Sequence, residues 1–294
     1  MKRFISLFAI VLLISSCQKE LVDPSGTPSG GGGNGGGGNG GGTSNGNLLV
    51  KGVSITGTDT TTINLTWDSN KRLSQYISAG KTNGIVTNSK TDIIRESNGN
   101  IKKMINSPMG GGGYVDSIVA YVFYQPGTSK IAYIKDINYL PGFPFSDSII
   151  ISYNGSGKIS SKETFIENIF LGGWTKQSKS TYTYDAQGNL LTNVTVTADP
   201  LTGAYTPAFT ITNTYDTHLA PASFGDDAFI VKGISEESVS PKHLVKKVQT
   251  GSGIDVTIAM SQFQFNSYDR PVSETFSFTP VPPGYTLMVS YFYQ

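Results

Sequence analysis

Reactive chemistry in this chain can be sought in few places. Four carboxylates crowd one stretch: Asp226 and Asp227 in "SFGDDAF", and Glu236 and Glu237 in "GISEESVSPKH". Calcium needs carboxylates converging with backbone carbonyls, and no Asp-x-Asp-x-Asp-Gly loop is present. The two histidines, His218 and His243, supply the arithmetic of a zinc site with one carboxylate, but not its ligand spacing. Each reads as an ordinary surface imidazole. No Gly-x-Ser-x-Gly elbow occurs. The "MGGGGY" segment, Met109–Tyr114, lacks the lysine and helix of a phosphate site. The reading is a chain with no catalytic residue, no metal and no cofactor, in which the acidic stretch is a solvated insertion. An alternative keeps that insertion, at about 222–253, as the site of a cryptic enzyme or periplasmic accessory factor.

One further side chain is reactive by nature. Cys17 is the sole cysteine among 294 residues, so no disulfide forms within the chain. It follows Lys2, Arg3, an apolar run from Phe4 to Ile14, and Ser15-Ser16. A short basic start, an apolar stretch of that length and small residues at a cut make a secretory signal, not a spanning helix. The Ile14-Ser15-Ser16-Cys17 ending resembles the lipobox of bacterial lipoproteins. That implies removal of residues 1–16 and acylation of the Cys17 thiol, with ~0.8 kcal/mol of anchoring per buried CH₂. Gln18, not Asp, comes next, which by the same resemblance favours the outer membrane. "QKELVD", Gln18–Asp23, partly matches the Lys/acidic export signal of surface lipoproteins of Bacteroidetes type. The membrane is thus an expected partner through Cys17, with surface display or the periplasmic face as its two orientations.

The leader takes two of the 22 basic residues, leaving 20 against 21 acidic ones. So balanced a chain has no field with which to hold nucleic acid. After Cys17, the tract Ser25–Asn47 is Gly, Ser and Asn apart from Thr27, Pro28 and Thr43, with no large apolar side chain to bury. Residues 17–47 therefore read as a flexible linker, roughly 30 Å in r.m.s. span and about 100 Å at full stretch.

The elements that would position any site come from residues 48–294. "TTINLTW" puts Ile63, Leu65 and Trp67 on one face, and "YTLMVSYFY" does the same for Leu287, Val289, Tyr291 and Tyr293. Period-two alternation of this kind means half-buried strands. The fold class is all-β. "YDAQGNL", Tyr184–Leu190, provides a ruler for repeats. "WDSNKRL", "RESNGNI", "YQPGTSKI", "YNGSGKI", "YDTHLAP" and "FNSYDRP" fit the same frame. Turn positions fall at 68, 96, 125, 154, 185, 216 and 266, and Gln294 lies 28 residues further on, where an eighth turn would begin. In most frames an aromatic closes a strand and Asp or Asn caps the turn, as Asp68, Asn154, Asp185, Asp216 and Asn266 do, while the frames at 96 and 125 carry Glu96, after Arg95, and Gln125. A Gly such as Gly157 or Gly188 then supplies the positive-φ step of a bulged hairpin. Lys71 and Asp269 stand at that Gly position and depart from the pattern.

These frames resemble YD-type (Rhs-like) repeats, and with the lipobox and Gly-rich tether the chain resembles uncharacterised outer-membrane lipoproteins of Bacteroidetes. The resemblance implies an antiparallel hairpin scaffold and a lipid anchor, and no enzymatic activity. Large Rhs-like proteins wrap such hairpins into a shell around a toxin; seven hairpins are too few, so encapsulation does not carry over. The scaffold is expected as a curled meander, with closure into a barrel or sandwich as the alternative.

Fifteen Tyr, fifteen Phe and two Trp remain. Most alternate with polar residues and read as core. Trp174 in "FLGGWTK" and Phe143 and Phe145 in "LPGFPFSD" lie in connections and are the candidate contacts for a glycan or protein partner.

Overall fold

The computed structural model describes residues 48–294 apart from 58, 83–84, 111–112, 116, 140–145, 168–171, 252, 254 and 281–285. Cys17, the leader and linker, and Phe143 and Phe145 lie outside the described residues.

The strands are β1 (Leu49–Thr56), β2 (Asp59–Trp67), β3 (Leu73–Thr82), β4 (Ile85–Arg95), β5 (Ile101–Gly110), β6 (Gly113–Tyr114), β7 (Ile118–Tyr124), β8 (Ile131–Asn138) and β9 (Ser146–Tyr153). Then come β10 (Ile159–Glu167), β11 (Trp174–Tyr184), β12 (Leu190–Ala198), β13 (Tyr205–Leu219), β14 (Lys242–Thr250), β15 (Val256–Phe265), β16 (Pro271–Thr279) and β17 (Thr286–Tyr293). Two short 3₁₀ turns, Gly225–Phe229 and Glu236–Val239, lie between β13 and β14. Each strand pairs antiparallel with the next, β6 being a two-residue ladder on the end of β5. β17 then pairs with β1, Val289 opposite Ser54. The meander closes into a barrel and leaves no sheet edge.

Six of the seven frames form hairpin turns along one rim. Asp185 shows how. Its backbone carbonyl accepts from Gly188 N–H at 3.2 Å, and its Oδ1 accepts from Asn189 N–H at 2.8 Å. Asp68, Asn154 and Asn266 accept equivalent bonds from Arg72, Lys158 and Arg270. Gly188 sits at φ 92, and a Cβ there would lie 2.6 Å from Lys158 Nζ. Lys71 and Asp269 take the same left-handed step at φ 59 and 63, so the turn survives two residues that resist it.

Consecutive repeats are latched by the residue that opens each frame. Tyr184 donates its hydroxyl to the carbonyl of Ile159, which begins the returning strand of the previous repeat, at 2.7 Å. Tyr124 does so to Ile101, Tyr215 to Leu190 and Tyr293 to Pro271. Tyr153 accepts from Ile131 N–H instead, at 2.7 Å. Trp67 donates its indole N–H to Leu49 O at 2.8 Å, which extends the latch to the start of β1. There Leu48 and Gln294 exchange two backbone bonds. The eighth hairpin is thus present without a covalent turn, Tyr293 serving as its aromatic and Leu49 as its first returning residue.

The interior is a packed core. Ile63, Leu65, Ile93, Met104, Ile134, Ile159, Leu190, Ile258, Phe276 and Leu287 are buried on the inward face. They share one cluster with Ala222, Phe224, Ala228, Phe229, Ile230, Val231 and Ile234 of the β13–β14 connection. That segment touches strands all round the barrel: Phe224 stacks on Trp67 of β2, Phe229 meets Tyr182 of β11 edge-on, and Lys232 pairs with Asp136 of β8. It is an internal plug. The solvated-insertion reading is therefore corrected, because its apolar residues fill the space that a closed ring of strands encloses.

The outward face is mostly that of a protein in water. Thr60, Thr62 and Asn64 on β2, Thr210, Thr212 and Thr214 on β13, and Ser273, Thr275 and Ser277 on β16 stand on it in register. A lipid-spanning barrel has the reverse pattern, an apolar band outside and polar residues within.

Candidate functional site

The plug carries all four acidic residues in which metal or catalysis was sought, and the barrel wall meets them with cations and hydroxyls. Glu236 is bonded by Lys162 of β10, by Tyr182 OH at 2.8 Å and by Asn193 Nδ2 at 2.8 Å. Glu237 and Lys247 form an ion pair in which each side chain is 5% exposed. Asp227 receives Arg95 Nη2 at 2.5 Å. Desolvation raises the Asp227 carboxyl above its ordinary range despite that guanidinium. Asp226 carries no comparable partner. Burial, with the charge of Asp227 beside it, pushes Asp226 up to about 6, and the lysines Lys158 and Lys130 only moderate the rise. Burial, and after it the charge of Asp226, holds Tyr153 and Tyr184 far above the usual phenol range, with Glu236 adding to the rise at Tyr184.

Three of these carboxylates are in ion pairs with the wall and Asp226 is half-buried beside Asp227, and no metal-binding group of three or more ligands exists among the described residues. The cavity found beneath the plug holds about 10 Å³, lined by Thr91, Met104, Asn106, Ile118, Ala120 and Lys232. That is room for one water, not a substrate.

The histidines part company. His218 is on the surface, 2.5 Å from Asp269 and stacked on Phe265. His243 is 1% exposed, which overturns its reading as a surface imidazole. It bridges Asp216 Oδ2 at 3.0 Å and Glu274 Oε2 at 3.1 Å, and Tyr291 donates to the other oxygen of Glu274. Burial by itself lowers its pKa, but Glu274 and Asp216 outweigh that and raise it. Asp216 is also relocated. It lies within β13 rather than in a hairpin turn, and one oxygen accepts His218 N–H while the other holds His243. The chain Asp216–His243–Glu274–Tyr291 ties β13, β14, β16 and β17 together inside the wall, with no room for a reactant.

Two solved structures share this architecture. A porin-like protein from Bacteroides uniformis matches with a TM-score of 0.52 at 11% identity, over 84% of this chain and 98% of that one. A porin-like protein from Bacteroides vulgatus matches with a TM-score of 0.52 at 10% identity and the same coverage, 84% and 98%. The likeness is one of fold. No protein-family model matches the chain, and no curated protein matches it.

With the lumen filled, the outer wall offers the remaining surface, and it departs from Ser and Thr over β5 to β11. Phe123 and Tyr133 stack face to face at 4.4 Å, both about 40% exposed, with Ile150 next in register. One row nearer the other rim, Lys103 on β5, Tyr121 on β7 and Lys135 on β8 lie opposite one another. Lys135 Nζ stands 5.9 Å over the ring of Trp174, which is 46% exposed. Trp174, singled out from the sequence, is thus part of an aromatic strip. Its partners there were missed. The available signal was "IVAYVFY", Ile118–Tyr124, apolar on both faces where other strands alternate.

Proposed function

We propose that the protein is a lipid-anchored, non-catalytic binding module of the outer membrane or cell surface, built on YD-type hairpin repeats. The observation that carries this reading is the contrast between a filled lumen and an outer wall that bears an aromatic and cationic strip over β5 to β11. A barrel whose lumen is closed cannot conduct solute, and its buried carboxylates are engaged with the wall or desolvated. Exposed stacked rings on a rigid sheet are what recognition of a glycan, protein or envelope component uses. Cys17 would be the acylated residue, and the linker would leave the domain at the hairpin rim, where Leu48 meets Gln294.

Fractionation tests the anchor: Cys17→Ser should move the protein from membranes to the soluble fraction, and persistent tight attachment would refute it. Protease applied to intact cells should then remove the domain if it faces outward and spare it if it faces the periplasm. Trp174→Ala should weaken binding to a ligand found by glycan screening or pull-down.

A further inference from the structure

The outer strip has a definite ligand chemistry. Six residues lie in one register row across β5, β7, β8, β9, β10 and β11: Lys103, Tyr121, Lys135, Ser148, Phe165 and Lys176. Adjacent strands are ~4.8 Å apart, so the row is about 24 Å long. It carries three ammonium groups, three flat or hydroxylated side chains between them, and no acid. The acids of the neighbouring rows are largely spoken for. Glu163 is held by Tyr205 OH at 2.5 Å and Lys176 at 3.5 Å, and Asp92 by Lys90 at 2.7 Å and Gln75 at 2.7 Å. Among the described residues, Lys103 and Lys135 have no carboxylate partner, although Lys135 shares the ring of Trp174. Glu167 stands opposite Trp174 at the edge of the strip.

From this placement we infer that the row binds a linear anionic polysaccharide laid across the strands. Sugar rings would stack on Tyr121 and Trp174, and their carboxylates or sulfates would meet Lys103 and Lys135. Stacking on aromatic faces is indifferent to charge, whereas the alternation of lysines along a row selects an acidic chain over a neutral one. The far wall lacks this arrangement: Lys246 on β14 has Thr214 and Ala259 beside it in register.

This inference rests on the binding-module reading but is tested apart from it. Full-length protein, extracted from membranes in mild detergent, is titrated by calorimetry with alginate, with neutral dextran, and with glycerol 3-phosphate as the free head group of an anionic phospholipid. Binding to alginate alone is expected. Lys135→Gln and Tyr121→Ala should each weaken it about tenfold, Glu167→Gln should strengthen it, and Lys246→Gln should leave it unchanged, folding being checked by circular dichroism. Equal binding to dextran, binding to the glycerol phosphate only, binding to none of the probes, or equal loss with Lys246→Gln would each overturn the inference. The anchor is judged separately by Cys17→Ser fractionation, so an unbound but membrane-attached protein would discard the polysaccharide and keep the address.

Discussion

Arg95 Nη2 reaches the carbonyl of Leu73 at 3.1 Å, from the frame position where neighbouring repeats place an aromatic. The same guanidinium holds Asp227 of the plug at 2.5 Å. One side chain therefore makes the repeat-to-repeat latch and ties the plug to the wall, a combination that no Tyr or Trp could provide. At the one seam where Phe265 has no donor, Arg270 Nη1 reaches Ala220 O at 2.6 Å instead.

The latch can be weighed by removing single hydroxyls. Tyr184→Phe loses a donor to Ile159 O and should cost about 1 kcal/mol. Tyr153→Phe strands the Ile131 N–H and should cost more, about 1–3 kcal/mol. Urea unfolding checks the order; equal effects would mean that water replaces the lost acceptor.

The turn positions permit an opposed pair of substitutions. Gly188→Ala, at φ 92 and against Lys158, should destabilise by about 1–2 kcal/mol. Lys71→Gly relieves a left-handed residue at φ 59 and should stabilise by about 0.5–1 kcal/mol, the gain being limited by the entropy of the new glycine. Thermal melts read both signs.

The Glu237–Lys247 pair separates charge burial from packing. Glu237→Ala leaves the ammonium buried without its carboxylate and should cost about 3–5 kcal/mol. Replacing both residues by Leu and Met should recover most of that loss, since the desolvation of both charges disappears together. A double variant as unstable as the single one would place the value of the pair in geometry instead.

Asp226 sets a pH dependence. Its folded pKa, about 6, lies above the unfolded value, so the native state binds the proton more tightly. The ionised group therefore opposes folding at pH 7–8, and that penalty fades as pH falls through 6 toward 4. Asp226→Asn should stabilise by about 1–2 kcal/mol at pH 8 and by nearly nothing at pH 4. His243 acts in the other sense: with its folded pKa raised, its contribution is full below about 6.5 and is lost as pH rises through the folded value. Unfolding curves for Asp226→Asn and His243→Gln across pH 4–9 distinguish the two groups.

Much of the scaffold was legible because hairpins are local. Asp185 and Gly188 announce a turn from seven residues, and the period of the frames placed Gln294 at an eighth. The plug was not legible, because its pattern is not periodic. "DAFIVKGI", Asp227–Ile234, has a short apolar run of no clear face beside four acids, and acids in a connection read as solvated. Their partners lie far away along the chain: Arg95 is 132 residues from Asp227 and Lys162 is 74 from Glu236. The lysines were the available clue, since Lys162 and Lys247 fall on the inward parity of their strands. Trp174 was expected in a connection and is instead the exposed first residue of β11. Tyr121, Phe123, Tyr133 and Lys135 join it only when the five strands β7 to β11 are laid side by side.

A closed ring admits only whole hairpins, and here the ring is wrapped around a plug of set volume. Duplicating one repeat would widen the lumen and leave Phe224 and Phe229 without opposing walls; deleting one would expel them. Circumference and filling must therefore change together, so homologous barrels of this kind should differ in hairpin number only where the connection between β13 and β14 has grown or shrunk in step.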